Sequence, residues 1–284
     1  MAKFIEGILA NSKVDRHGEV LTPDSLREMV EQINTQYVPM TIEHDPRNPP
    51  VGRIVGAELV ELEDGAVEVN GISEIFELND VTELKDDSRE IPTRATSDDL
   101  LHIMSDHSYQ GKSAKILIKE ISNLFGSEEM EEAKKSLEPL SVLSILGMFT
   151  AGAVATGFLS KLGADGYDLF KKKLKNIFSS DLRVATEQLL LFSIALDKEG
   201  TVIVIEIIMT NPDSDEIERF MNAGLKDIDT IFMAHVDISS GIRKIVYEYK
   251  DGTLILKFGV RKDGVPLELT FIRPTNQSMG NQSA

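Results

Sequence analysis

Between Leu140 and Leu159 the chain runs for twenty residues without a charge, LSVLSILGMFTAGAVATGFL, bounded by Glu138-Pro139 and Ser160-Lys161. A stretch of about 20 apolar residues is what a bilayer-spanning helix needs, so the chain must hide this run either in lipid or in a protein core. Gly147, Ala151, Ala155 and Thr156 are small enough to let a helix approach another closely in both settings. The run is therefore read as a central apolar helix, either inserted in a membrane or packed in the interior or against partner helices. The basic cluster Lys171-Lys172-Lys173 with Lys175 lies on its carboxyl side. By the positive-inside bias that end would stay in the cytoplasm and the acidic amino-terminal part would have to cross, which favours the packed alternative. The continuation GYDLFKKKLKNIF sets Leu169, Phe170, Leu174, Ile177 and Phe178 among lysines. It fits a helix on an anionic membrane surface, or an ordinary helix docked by its apolar stripe.

The chain as a whole is globular in composition, with 284 residues of which 42% are hydrophobic, enough for a substantial core. The formal charge of −17 comes mostly from the first 139 residues, which hold 29 Asp and Glu against 14 Lys and Arg; the rest holds 18 against 16. An acidic front half argues against nucleic acid as a ligand, because phosphate contacts need clustered cations. Cysteine is absent, which excludes disulfides, thiolate metal sites and cysteine nucleophiles. Met1 to Ala10 does not read as a signal peptide, so a cytoplasmic location is expected, with membrane association through residues 140–178 as the open alternative.

At the amino terminus, Lys3 to Ala10 reads as a strand, followed by turn residues around His17-Gly18. Thr22-Pro23-Asp24-Ser25 offers a helix cap with proline at the first helical position, and Leu26, Met29, Val30 and Ile33 recur at helical spacing. Tyr37 to Glu43 is a second strand ending at His44, a histidine flanked by Glu43 and Asp45 just before a proline-rich turn. The neighbouring acids would favour its charged form and burial would oppose them. Val51 to Leu62 and Ala66 to Phe76 make two further strands joined at Glu63-Asp64-Gly65, a strong hairpin signal. The order implies an α+β unit with a small, curved, mainly antiparallel sheet.

The string VDRHGEVLTPDSL, then a strand ending in His44, then PPVGRIVGAELVE, resembles the opening of the phage prohead proteases, the capsid-maturation serine peptidases related in fold to the herpesvirus assemblins. The likeness covers about residues 1–76. It implies a small curved sheet or barrel, with His44 as the general base, Gly52 as the glycine that starts the next strand, and Asp15 and Gly18 as turn residues. In that family the nucleophilic serine arrives on a later strand, in a Ser-x-Gly context some tens of residues beyond the histidine, and that sequence is missing there in this chain. Ser113, in GKSAKILI after Gly111, is the best substitute, since a serine nucleophile needs hydrogen-bond access to the imidazole and backbone donors for the oxyanion. The same serine also reads as the cap of a helix through Ile116 to Phe125. Ser105, Ser108 and Ser97 are weaker candidates, and no third catalytic group is distinguished.

His102 and His107, with Asp98, Asp99 and Asp106, lack the i, i+4 spacing of a zinc helix, so neither a metal nor another cofactor is expected. Asn79 to Asp99 reads as an acidic, flexible excursion. Beyond Glu187, two strand pairs with turns at Lys198-Glu199-Gly200 and Asp251-Gly252 flank a helix begun by Asn211-Pro212-Asp213, a ββαββ antiparallel sheet with one helix across it, in which His235 stands alone. The tail from Pro274 reads as disordered. The expected organisation is a prohead-protease-like domain (1–125), a helical segment (126–182) containing the apolar run 140–159, a ββαββ module (183–273) and the tail (274–284). The expected function is a serine endopeptidase using His44 and Ser113, or a catalytically inactive scaffold of the same fold acting in assembly, partner binding or membrane association. A protein substrate or partner and a homo-oligomeric state complete the expectation.

Overall fold

A computed structural model of the chain describes residues 3–14, 20–42, 45–76, 89, 100–106, 109, 112–128, 130–132, 140–179, 187–198, 200–235 and 241–267. The first sheet has the strand order β1-β4-β3-β2, built from β1 (Lys3–Asn11), β2 (Val38–Met40), β3 (Gly52–Glu61) and β4 (Val67–Ile75), all antiparallel. Helix α1 (Pro23–Thr35) starts where Thr22 Oγ1 accepts the Ser25 N–H at 3.1 Å, and Pro23 occupies a position whose N–H would have no helical partner. Leu26 of α1 packs on Val67 and Val69 of β4, with Leu9, Met29, Val30, Ala57 and Leu59 around them. The other face of this sheet carries no helix among the described residues.

The second sheet contains eight strands in the order β12-β11-β10-β9-β8-β7-β5-β6. They are β5 (His102–Asp106), β6 (Met130–Glu132), β7 (Leu140–Thr150), β8 (Glu187–Lys198), β9 (Thr201–Thr210), β10 (Ile242–Lys250), β11 (Thr253–Arg261) and β12 (Pro266–Leu267). Helices α2 (Lys112–Phe125), α3 (Val154–Ile177), α4 (Ser214–Arg219) and α5 (Leu225–His235), the last two joined through a π-helical turn at Phe220–Gly224, cover one face. Ile118, Phe158, Phe170, Ile217 and Phe232 from these helices share one core with Ile145, Phe192 and Ile205 of the strands.

The central run is not a single helix: it is a strand followed by the start of another element. Leu140–Thr150 is β7, paired in parallel with β8 from Leu140↔Glu187 to Thr150↔Asp197 and antiparallel with β5. The chain turns at Gly152, whose φ of +84° suits glycine, and α3 begins at Val154, where the Asp229 carboxylate accepts the first N–H at 3.0 Å. The run is continuously apolar because β7 lies inside the sheet and is buried on both sides. Leu143, Ile145 and Phe149 face the helices, while Leu140 and Val142 join Leu189, Leu191, Ile208 and Val246 on the opposite face. Among the described residues no helix is long and apolar enough to cross a membrane.

The lysine-rich helix is likewise tied into the molecule. Phe170, Leu174 and Ile177 are fully buried, and Lys173 and Lys175 pair with Glu120 of α2 and Glu218 of α4, each at 2.5 Å.

The expected carboxyl-terminal module is also corrected. β8, β9, the helix and β10, β11 occur in that order, but they are part of the eight-stranded sheet. The sheet is mixed rather than antiparallel, because the helical crossover returns the chain to the starting end and lays β10 parallel to β9.

Candidate functional site

The loop that follows β2 is the site the sequence points to, and its geometry starts from backbone hydrogen bonds. The Asp45 N–H donates to the Ile42 carbonyl at 3.2 Å, the Asn48 N–H to the Asp45 carbonyl at 3.1 Å, and the Val51 N–H to the Met40 carbonyl at 2.7 Å. These close the turn over Pro46, Pro49 and Pro50. Asp45 Oδ1 accepts the backbone N–H of Arg47 at 2.9 Å, an Asx turn of the kind a short acidic side chain makes two residues ahead. The Arg47 guanidinium then folds back on the same carboxylate, with Nη2 2.6 Å from Asp45 Oδ2 and Nε 2.9 Å from Oδ1.

The other side of that guanidinium reaches the second sheet. Arg47 Nη1 and Nη2 donate to Glu187 Oε1 and Oε2 at 2.7 and 3.0 Å, a paired fork at the first residue of β8. Burial by itself would raise the Asp45 carboxyl pKa. The hydrogen bonds and charge of Arg47 outweigh it and hold the carboxyl below its ordinary value, and the two carboxylates in turn raise the Arg47 guanidinium. Asp45 is therefore committed to Arg47.

A second contact joins the sheets nearby. Arg53 and Glu74, each 3% exposed at the side chain, face each other across β3 and β4 at 2.6 Å, and Arg53 Nη1 donates to the Asp263 carbonyl at 2.6 Å. The Tyr37 hydroxyl donates to the Gly264 carbonyl at 2.9 Å. The tip of the β11–β12 turn thus sits against the first sheet, and Gly264 has φ +82° with the Tyr37 ring where a side chain would be. Gly52 has a comparable reason to be glycine, since a Cβ there would lie 2.5 Å from the Glu74 carbonyl oxygen.

His44 itself, with Glu43, lies outside the described residues, as do Asp15, His17, Gly18, Ser97, His107 and Ser108. Arg47, through Glu187, sets residues 45–48 at the end of the second sheet where β7 and β8 begin. Ser113 is exposed in the first turn of α2, which runs from Lys112 to Phe125. β5 is antiparallel to β7 and its last residue, Asp106, accepts the Val142 N–H at 2.7 Å, so α2 starts from this same end of the sheet. Ser105 is buried in β5 opposite Leu143, and His102 is buried opposite Leu146. Among the described residues no group of three or more His, Asp or Glu could hold a metal ion.

Sequence reasoning missed Arg47, Glu187, Tyr37, Arg53, Glu74 and the 263–264 turn. Asp45-x-Arg47 carried a local signal, the Asx turn, whereas nothing near Glu187 or Gly264 marks them as partners of residues more than a hundred positions away. No family model, curated protein or solved structure matches the chain.

Proposed function

We propose that this chain is a non-catalytic, protein-binding scaffold whose amino-terminal unit is prohead-protease-like. One observation carries the reading. The described strands of the first sheet all come from residues before Phe76, and the next strand among the described residues, β5, is built into the other sheet. A peptidase of the resembled family brings its nucleophile beside the histidine on a later strand, and no such strand joins this sheet among the described residues. The Asp45 carboxylate beside His44 is engaged by Arg47, and that arginine ties the loop to Glu187. The loop then serves as a joint between two sheets.

The second reading is a serine endopeptidase with His44 as base and Ser113 as nucleophile. It is favoured by the placement of the 45–48 loop and the amino terminus of α2 at one end of the second sheet. A fluorophosphonate probe on the fresh, folded chain separates the two. The scaffold reading expects no covalent labelling; labelling that disappears in both His44→Ala and Ser113→Ala would establish the peptidase and end the scaffold reading.

A further inference from the structure

β1 forms one edge of the first sheet, and among the described residues no strand lies on its outer side. An edge of nine residues presents a row of backbone N–H and C=O groups to any chain able to pair with it. Natural edges are usually blunted by charge, proline, a bulge or a short strand, and β1 has a register shift only beyond Ile8, between Ile8 and Ala10, and no proline. Phe4, Ile5 and Ile8 are 54%, 45% and 60% exposed, and Lys3 and Glu6 are its only charged residues.

Register shows how these groups are arranged. Residues directly opposite in an antiparallel pair share a face, and β1 pairs Phe4↔Glu74, Glu6↔Ile72 and Ile8↔Asn70. β3 continues the rows with Ile72↔Gly56 and Asn70↔Glu58. Phe4, Glu6 and Ile8 therefore stand in line on the face away from α1, beside exposed Ile72 and with Glu58 two strands in.

We propose that β1 is a docking edge for an extended segment of a partner protein, which adds to the sheet as a further strand. The segment carries apolar, basic, apolar side chains at alternate positions. The two-residue period of a strand lets such a segment set its apolar groups beside Phe4 and Ile8 and its cation beside Glu6. Charge selects this occupant over a second copy of the chain. The molecule carries −17 overall, which opposes association of two copies, and the symmetric pairing that sets Phe4 against Ile8 brings the two Glu6 carboxylates face to face. The proposal rests on the scaffold reading only in taking the segment to be bound and released uncut.

The test uses the full chain and a blocked seven-residue peptide with valine, threonine, lysine, threonine, valine at its centre, followed by fluorescence anisotropy. A counterpart with glutamate for lysine is the control. The lysine peptide is expected to bind more tightly, and Glu6→Lys, an exposed position, to weaken it by about five-fold and to reverse the preference, the scale of one cross-strand charge pair turned repulsive. Lysine peptides N-methylated at alternate residues are expected to differ by parity, since only one set of N–H groups faces β1. Equal binding of the two charge forms, or a preference unchanged by Glu6→Lys, would overturn the proposal. So would a concentration-dependent dimer dissolved by Phe4→Lys, which would assign the edge to a second copy. Cleavage of the bound lysine peptide would end the scaffold reading while leaving the docking edge supported.

Discussion

Asp45 and Arg47 carry the chemistry of the 42–48 loop at the scale of single residues. The Asp45 carboxyl is held below its ordinary pKa, so its contribution is complete above the unfolded carboxyl value of about 3.9 and is lost as pH falls through the lower folded value. Arg47→Ala is expected to remove that dependence together with the fork to Glu187, at a cost of about 1 kcal/mol near neutral pH because the groups are partly solvated. Urea unfolding from pH 6 down to pH 2.5 checks this. The difference between the two proteins should be constant above about pH 5 and shrink below it; a constant gap over the whole range would refute the assignment. Little of this was legible beforehand. The sequence marks His44 by its flanking acids, but the partner of Asp45 is fixed by a turn two residues ahead and by a glutamate 140 positions away.

Among elements, β7 and α3 have the most to teach. A strand buried on both faces and a packed helix produce the same uncharged text, and Leu140 to Leu159 contains both, with Gly152 as the only local sign of the break. Helix α3 holds a second glycine whose role is hidden in the sequence. Gly163 interrupts the helix with φ 69° and ψ 166°, a region that belongs essentially to glycine. In an ordinary helix Gly→Ala stabilises by about 1 kcal/mol. Here Gly163→Ala is expected to destabilise by about 1–3 kcal/mol, the cost of holding such a conformation with a side chain. Equilibrium denaturation decides the matter by sign alone, since any gain in stability would mean that the kink is not maintained.

On the scale of the molecule, two polar joints hold the sheets against each other. One is Arg47 on Asp45 and Glu187; the other is Tyr37 on the Gly264 carbonyl and Arg53 on the Asp263 carbonyl. Such joints couple the unfolding of two units that each have a core of their own, the cluster under α1 and the larger one under α2 to α5. Combining Arg47→Ala with Tyr37→Phe loosens both while leaving the buried Arg53–Glu74 pair intact. Differential scanning calorimetry is expected to resolve a single transition in the unaltered chain into two in the double variant. A single transition with matching calorimetric and van't Hoff enthalpies in both proteins would sink this account.

What the sequence alone determined is local. Thr22 and Pro23 start α1, Asp-Gly turns the chain at 64–65 and 251–252, and alternation or helical spacing marks the strands and α1, because each of these preferences is set by a few neighbouring residues. Only the tertiary structure decided that the apolar run is an inner strand, that β9 and β10 run parallel, and that the 45–48 loop ends on Glu187. Those outcomes depend on what lies across the fold: a strand is apolar on both sides only if both sides are covered, and an arginine chooses its carboxylate by proximity in space, not along the chain.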